Sequence, residues 1–113
     1  MNSKEQGKSG EDYALKHLLS LGYDLIERNY RYRRSEIDLI MWFNVTLVFV
    51  EVKWRSNSKY GFPEHFVSAN QQKMIMEGAE HYILESKHNG PIRFDIVAIN
   101  AQEKLVHFKD AFH

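Results

Sequence analysis

Apolar residues cluster most densely between residues 35 and 55, where two β-type runs meet at a turn at Asn44-Val45. Val, Ile, Phe and Trp favour a pleated strand and Asn favours a tight turn, so this pattern predicts a β-hairpin. The run Leu47–Val50 is apolar at every position, which is typical of an interior strand that is covered on both faces. We therefore expect the hairpin to lie at the centre of the fold.

Two helices are predicted, one before and one after the hairpin. Each segment has apolar residues at helical spacing, an N-cap residue, a residue three positions later that completes or approximates a capping box, and a stop. These signals are Ser9, Asp12 and Gly22 for the first helix, and Ser68, Gln71 and the stop Asn89-Gly90-Pro91 for the second. The second helix is predicted to run from Ala69 to about Lys87.

Three further strands are predicted at Tyr23–Tyr30, Ile92–Ile99 and Lys104–Phe108, with a turn at Asn100-Ala101. The element order is then α-β-β-β-α-β with a short extra strand, which indicates an α/β domain with a mixed sheet flanked by helices. A chain of 113 residues is long enough to form one domain with its own core. Residues 1–8 are polar, and we expect them to be flexible.

Composition excludes several classes of protein. Fifteen basic residues balance fifteen acidic ones, so any binding of nucleic acid has to come from a local basic patch. The absence of cysteine excludes disulfides, thiolate zinc sites and thiol nucleophiles. No apolar run approaches the length of a membrane span, and the first residues lack the apolar core of a signal peptide, so we expect a cytoplasmic protein.

The predicted hairpin register brings acidic residues together. With the turn as predicted, Asp38 lies opposite Glu51 and Glu36 lies opposite Lys53. Directly opposed residues have Cβ atoms roughly 4.5–5.5 Å apart. Period-two alternation adds that Glu51 and Lys53 share one face, as do Glu36 and Asp38.

Two opposed carboxylates repel each other. At about 5 Å and an effective dielectric constant near 20, the repulsion is on the order of 3 kcal/mol. A divalent cation such as Mg²⁺ would reverse the sign of the interaction between Asp38 and Glu51, and Lys53 would face its ligands or a bound phosphate. The alternative is an edge hairpin with solvated charges, which the wholly apolar run before Glu51 disfavours.

A third acid and a basic segment are further candidates. Glu11 projects from the edge of the first helix's apolar stripe, although an acid in a first turn more commonly serves the helix dipole. The basic segment is typical of phosphate contacts and base stacking, with a solvated strand end as the alternative. It comprises Arg28, Tyr30, Arg31, Tyr32, Arg33 and Arg34. The exposed loop 55–63, with Arg55, and the helix residues Gln72 and Lys73 are placed to contact a ligand or simply to face solvent.

These elements resemble the PD-(D/E)XK nuclease-like superfamily, which has an acid in the first helix, Asp in the second strand and Glu-x-Lys in the third. The matching residues are Glu11, Asp38, Glu51 and Lys53. A wider set of motifs resembles the YraN family of bacterial nuclease-like proteins of poorly defined function, and more distantly archaeal Holliday junction resolvases. That set is Gly10-Glu11 with Ala14, Gly22-Tyr23, Arg28-Asn29 with Arg31, Glu36–Ile40, Val48–Lys53 with Arg55, and Arg93–Asp95.

The resemblance implies a restriction-endonuclease-like αβββαβ core that hydrolyses DNA phosphodiester bonds with Mg or Mn. By the resemblance, the metal ligands are Asp38, Glu51, Glu11 and the Val52 carbonyl, while Lys53 orients the attacking water or stabilises the transition state. The residues assigned to DNA are Arg28, Arg31, Arg33, Arg34, Arg55 and Lys73, with Glu36 and Gln72 in support. Resolvase kinship implies branched or flap DNA and a homodimer. The alternative is a non-catalytic nucleic-acid-binding or protein-interaction module on the same fold.

One residue departs from the family pattern. Ser35 stands directly before Glu-Ile-Asp, where the family usually has Gly. If the backbone at this position requires a positive φ, serine would strain it by on the order of 1–2 kcal/mol.

Overall fold

The computed structural model describes the backbone of residues 3–55 and 67–113, with side chains from Lys8 onward. Two helices and five strands follow one another in the predicted order. They are α1 (Ser3–Ser20), β1 (Asp24–Tyr32), β2 (Ser35–Phe43), β3 (Thr46–Arg55), α2 (Ala69–Ser86), β4 (Ile92–Asn100) and β5 (Leu105–Phe112). The predicted loop beyond Arg55, from Ser56 to Pro63, lies outside the described residues.

The five strands form one mixed sheet in the order β1-β2-β3-β4-β5. Strands β3 and β4 are parallel and the other neighbours are antiparallel, because α2 provides the long crossover that a parallel pair requires. The arrangement confirms an α/β fold, consistent with a restriction-endonuclease-like core. Neither helix in the described part of the chain is long and apolar enough to cross a membrane.

The helices cover opposite faces of the sheet. On the α1 side, Ala14 and Leu18 pack with Leu39, Val50 and Val97. On the α2 side, a second cluster is formed by residues that include Ile37, Phe49, Ile75, Ala79 and Ile96. Strand β3 contributes to both clusters with alternate residues, as expected for a central strand.

The end of α1 confirms the prediction and its start does not. Gly22 has φ 94, and the amides of Gly22 and Tyr23 donate to the carbonyls of Leu19 and Leu18, which is a Schellman motif. The helix begins at Ser3, so the predicted N-cap at Ser9 is wrong. Lys, Glu and Gln in the first turns have good helix propensity, and that propensity carries the helix back beyond the serine.

The boundaries of α2 agree with the prediction. Ser68 accepts a hydrogen bond from the Gln71 amide and Gln71 accepts one from the Ser68 amide, which confirms the capping box. Lys87 caps the C-terminal end in the left-handed conformation. Strand β5 is longer than predicted and continues to Phe112, which is buried and stacks on Phe94.

Asp95 is fully buried on the α1 side of β4 and is surrounded by donors. Arg93 donates to both of its carboxylate oxygens at 2.8 Å, His107 Nε2 lies 2.7 Å from Oδ2, and the Asp110 amide donates to Oδ1. Burial alone would raise the pKa of Asp95, but the hydrogen bonds from His107 and Arg93 outweigh it and lower the pKa. Asp95 is therefore a structural residue whose charge is satisfied by Arg93 of its own strand and by His107 of β5.

Ser35 does not have a positive φ, so the departure from glycine leaves the backbone unstrained. Ser35 is buried against α2, where Gly78 lies directly across from it. A Cβ at Gly78 would lie 2.9 Å from the Cβ of Ser35, closer than two carbon atoms can approach without movement. The missing side chain of Gly78 therefore allows α2 to pack closely on the start of β2.

We expect Gly78→Ala to lower the free energy of unfolding by about 1–2 kcal/mol, because the overpacking exceeds the roughly 1 kcal/mol gained in helix propensity. Ser35→Gly in the same chain should restore stability, since it removes the atom in the way. Urea unfolding of both single variants and the double variant measures this coupling.

Gly10→Ala is the matched control, because its added Cβ would meet its nearest neighbour, the Trp54 ring, at an ordinary 3.8 Å. That variant should be as stable as the wild type or slightly more stable. Equal stability of Gly78→Ala and wild type, or no rescue by Ser35→Gly, would contradict the proposed contact.

Candidate metal and catalytic site

Strands β2 and β3 separate part of the way along the hairpin. Their register runs from Phe43–Thr46 to Leu39–Val50, which confirms the predicted pairing up to that point. Beyond it, β2 stays paired with β1 as far as Tyr32–Ser35, and β3 stays paired with β4 as far as Arg55–Asn100. A gap therefore opens in the sheet at the level of the next two residues, Asp38 and Glu51.

Asp38 reaches across this gap. Its Oδ2 accepts a hydrogen bond from the Val52 amide at 2.8 Å, in place of a regular backbone pair. Ile37 packs on the α2 side and Leu39 on the α1 side, although residues two apart in a regular strand share a face. The alternation expected from the sequence is thus interrupted at Asp38.

The irregularity extends to β1. Asn29 has φ 53 in the middle of β1, and neither Asn29 nor Asp38 belongs to the paired register between β1 and β2. Left-handed backbone inside a strand is uncommon, and Asn tolerates it better than other residues with a side chain. The distortion of both strands places the Asp38 carboxylate between the two faces of the sheet.

Glu51 and Lys53 follow Phe49 at alternate positions on β3, so they lie on the α2 side, as predicted for a shared face. Burial, a hydrogen bond with Asp38 and the charge of Asp38 raise the pKa of Glu51 to about 9, and the Lys53 ammonium partly opposes the shift. Glu51 is therefore protonated at neutral pH. Asp38 and Glu51 interact as expected, although the paired register ends one residue before them, at Leu39–Val50.

Glu11 approaches from α1, on the other side of the sheet. Burial and the negative charge of Asp38 raise the pKa of Glu11, and Arg28 opposes the change. Arg28 donates to Glu11 at 3.4 Å and to Asp12 at 2.8 Å. With its amide oriented to donate, the Asn29 nitrogen lies 3.2 Å from Glu11 Oε1. The charge of Asp38 thus acts on Glu11, while the Glu11 oxygens accept hydrogen bonds from Arg28 and Asn29 of β1.

The donor atoms at the gap are suited to a hard divalent cation. Asp38 and Glu51 supply carboxylate oxygens, and the strand geometry that points the Val52 amide at Asp38 turns the Val52 carbonyl to the same edge. Within residues 3–55 and 67–113, however, no three acidic, histidine or cysteine side chains converge closely enough to hold a metal as they stand. Asp38 and Glu51 interact directly, whereas the Glu11 side chain is bonded to Arg28.

The predicted DNA-binding residues fall into separate groups. Arg28 is engaged with α1, as described above, and Arg31 forms an exposed salt bridge with Glu36 at 2.9 Å. The expected pairing of Glu36 with Lys53 lies beyond the end of the β2–β3 register. Arg55 ends β3.

The remaining basic residues line a groove of about 640 Å³ between α2 and the turn from β1 to β2, which we call the α2 groove. Its lining includes Tyr32, Arg33, Arg34, Lys73, Glu77 and His81. Gln72 lies nearby, but its side-chain amide donates to the Val67 carbonyl at 3.1 Å and so supports the start of α2.

Sequence reasoning missed two residues at the site and its surroundings. Asn29 holds Glu11 and carries the strand distortion, and its signal was an Asn within a strand, where that residue is rare. His81 stacks on Tyr32 with ring centroids 3.7 Å apart, and its Nδ1 lies 2.7 Å from the Tyr30 hydroxyl. No local pattern pairs His81 with residues some fifty positions earlier, because the contact depends on the packing of α2.

The profile of the Uncharacterised protein family UPF0102 matches residues 10–99, a range that contains all four residues of the nuclease-like pattern. The chain belongs to the UPF0102 family. A UPF0102 protein of Clostridioides difficile (strain 630) is 43% identical over 114 residues, covering 99% of this chain and 100% of that protein.

Other relatives match over a similar span. A UPF0102 protein of Cytophaga hutchinsonii is 44% identical over 110 residues, covering 97% of each chain. One from Shewanella sediminis is 41% identical over 99 residues, covering 88% of this chain and 85% of that protein. The family assignment made from the motifs, as YraN, is confirmed.

Because the native pKa of Glu51 lies near 9 and its ordinary value is 4.5, the folded state holds a proton that the unfolded state releases. The stability that this proton contributes is complete below about pH 4.5. It decreases as the pH rises and is lost once the pH has passed through 9. In EDTA, Glu51→Gln should therefore become progressively more stable than wild type with rising pH. At about 1.4 kcal/mol per pKa unit, the gain is on the order of a few kcal/mol by pH 9.

Glu36→Gln is the control, because Glu36 is exposed and paired with Arg31. Its stability difference from wild type should change little with pH. Denaturant unfolding at several pH values measures both differences. Parallel curves for Glu51→Gln and wild type would show that Glu51 ionises normally.

Proposed function

We propose that this UPF0102 protein is an endonuclease that hydrolyses DNA phosphodiester bonds with a divalent metal at the gap between β2 and β3. The observation that carries the proposal is the hydrogen-bonded pair of carboxyl groups, Asp38 and Glu51, with the Lys53 ammonium close enough to influence the pKa of Glu51. A buried carboxyl group whose pKa is raised beside a second acid is costly to the fold, and strongly perturbed carboxyl groups of this kind concentrate at functional sites.

The residues that would hold Mg or Mn are Asp38 and Glu51, with Glu11 and the Val52 carbonyl completing an all-oxygen set. When bound between such oxygens, a divalent cation lowers the pKa of a coordinated water and neutralises charge on the scissile phosphate. To ligate a cation, Glu51 would have to lose its proton, since ionised carboxylates are the ligands that a cation binds well. Glu11 would have to give up its contact with Arg28.

Lys53 supplies a positive charge on the same face as Glu51. Its ammonium group can donate hydrogen bonds to the phosphate oxygens or orient the attacking water. A donor fixed in advance at the position of developing negative charge stabilises the transition state more than the ground state. The carboxyl pair and Lys53 thus have separate tasks.

Basic residues outside the gap, several of them in the α2 groove, would position the DNA backbone without reading its sequence. These are Arg31, Arg33, Arg34, Arg55 and Lys73. Arg28 acts differently, because its guanidinium is committed to Glu11 and Asp12 and so positions α1. Branched or flap DNA as the substrate, and a homodimer as the active form, belong to this proposal through the resemblance to resolvases.

A second candidate is a binding module on a nuclease fold that does not cut. The observation that favours it is the engagement of Glu11 by Arg28 and Asn29, which leaves two acids rather than three at the gap. The two functions differ in a single measurable step, which is strand cleavage in the presence of a divalent cation.

Cleavage of linear duplex, flap and four-way-junction DNA should require Mn²⁺ or Mg²⁺ and should be fastest on a branched substrate. Lys53→Ala and Asp38→Asn should each reduce the rate by roughly 10²-fold or more, as expected for the loss of a preorganised charge. Gel analysis of labelled strands measures the products. Lys109→Ala, an exposed lysine on β5, is the control and should cut at the wild-type rate.

Cleavage that persists in EDTA or in either site variant would overturn the mechanism. DNA that is retarded but uncut under every condition would support the binding module instead.

Metal binding has a readout of its own in thermal melting. Saturating Mn²⁺ should raise the Tm of the wild type by several degrees, because a ligand that binds only the folded state stabilises it by mass action. The rise should disappear in Asp38→Asn and persist in Lys53→Ala, since the lysine is not a ligand. An equal rise in Asp38→Asn would place the cation elsewhere on the protein.

A further inference from the structure

The α2 groove has the chemistry of a nucleotide site. Three cationic side chains, Arg33, Arg34 and Lys73, share its lining with two carboxylates, Glu77 and Glu80. Cations bind phosphate, and carboxylates accept hydrogen bonds from the exocyclic amino groups of bases. A volume of about 640 Å³ lies within the range of small-molecule sites and is ample for one nucleotide.

An aromatic platform is already built in the groove. The rings of Tyr32 and His81 stack with centroids 3.7 Å apart and an interplanar angle of 6°. The hydroxyl of Tyr30 contacts His81 Nδ1 at 2.7 Å and fixes its ring. His81 covers one face of Tyr32, and the guanidinium of Arg33 lies over the other, 5.2 Å from the ring centroid. A base that stacks on Tyr32 therefore takes the place of this guanidinium, which is then free to contact the phosphate.

The groove and the carboxyl pair lie on the same side of the sheet. Glu51 and Lys53 are on the α2 side by alternation with Phe49, and Ser35 in the groove is packed against Gly78 of α2. Ser35 and Asp38 are three residues apart on β2, which corresponds to about 10 Å along the strand. A DNA strand that lies at the gap therefore extends into the groove within one or two nucleotides.

We propose that the α2 groove binds one unpaired nucleotide of the DNA strand, with its base stacked on Tyr32 and its phosphate against Arg33, Arg34 and Lys73. The base has to be unpaired, because the neighbours in a duplex cover both faces of each base pair. The statement that this nucleotide adjoins the scissile phosphate rests on the proposed nuclease function. The binding of the nucleotide itself does not.

Binding in EDTA separates the two proposals, because no metal-dependent cleavage takes place there. Fluorescence anisotropy compares a labelled single-stranded 12-mer with the blunt duplex of the same sequence. Tyr32→Ala should weaken single-strand binding about tenfold, in line with the loss of one stacked base, and should change duplex binding less than twofold. Tyr32→Phe keeps the ring and should bind both DNAs within twofold of the wild type.

Tyr32 also packs against the α2-side core, so a second variant guards against a folding defect. Tyr32→Leu retains apolar volume but has no aromatic face, and it should lose single-strand affinity as Tyr32→Ala does while keeping the wild-type melting temperature. Lys73→Gln should reduce the slope of log affinity against log salt by about 0.7 for the single strand, as expected for one lost phosphate contact.

Unchanged single-strand affinity in folded Tyr32→Ala and Tyr32→Leu, or an equal loss for the duplex, would overturn the groove proposal. Selective single-strand binding that depends on Tyr32, in a protein that never cleaves, would support the nucleotide site in the groove and contradict the nuclease function. Metal-dependent cleavage with no effect of Tyr32 substitution on binding would support the nuclease function and contradict the nucleotide site.

Discussion

The hydrogen bond from the Val52 amide to the Asp38 carboxylate is the interaction on which the candidate site depends. At this point the sheet stops being continuous, and a side chain takes the place of a backbone partner. Because an unpaired amide in a buried strand is costly, Asp38 satisfies the end of the β2–β3 ladder and is held in place by it. The same hydrogen bond fixes the Asp38 carboxylate between Glu51 on one side of the sheet and Glu11 on the other. Its charge raises the pKa of both residues.

Two acids at the same level of the sheet, Asp95 and Glu51, have opposite electrostatic surroundings. Asp95 is paired in register with Val50, next to Glu51, yet it faces the α1 side, where Arg93, His107 and the Asp110 amide satisfy it. Its pKa is lowered, whereas that of Glu51 is raised. The fold surrounds the carboxylate of Asp95 with hydrogen-bond donors, but it leaves Glu51 beside a second acid. This contrast supports the proposal that Asp95 is structural and that Asp38 and Glu51 form a functional site.

The elements that could be predicted from the sequence are those encoded by local patterns. The hairpin turn, the register up to Leu39–Val50, the capping box of Ser68 and the glycine stop of α1 all follow from a few adjacent residues. The divergence of β2 and β3 could not be predicted in this way, because it needs a left-handed Asn29 on β1 to match the distortion at Asp38. The engagement of Arg28 by Glu11 and Asp12 likewise depends on how α1 docks on the sheet, which no run of arginines reveals.

The double contact of Arg28 has a consequence for the speed of the site. Arg28 reaches Asp12 at 2.8 Å and Glu11 at 3.4 Å, so a movement of Glu11 towards Asp38 would break only the longer contact. The contact with Asp12 would keep α1 attached to β1 without a change in the backbone. If the gap holds a cation as proposed, Glu11 would reach it by a side-chain rotation, which takes picoseconds to nanoseconds, rather than by a helix displacement on the microsecond to millisecond scale.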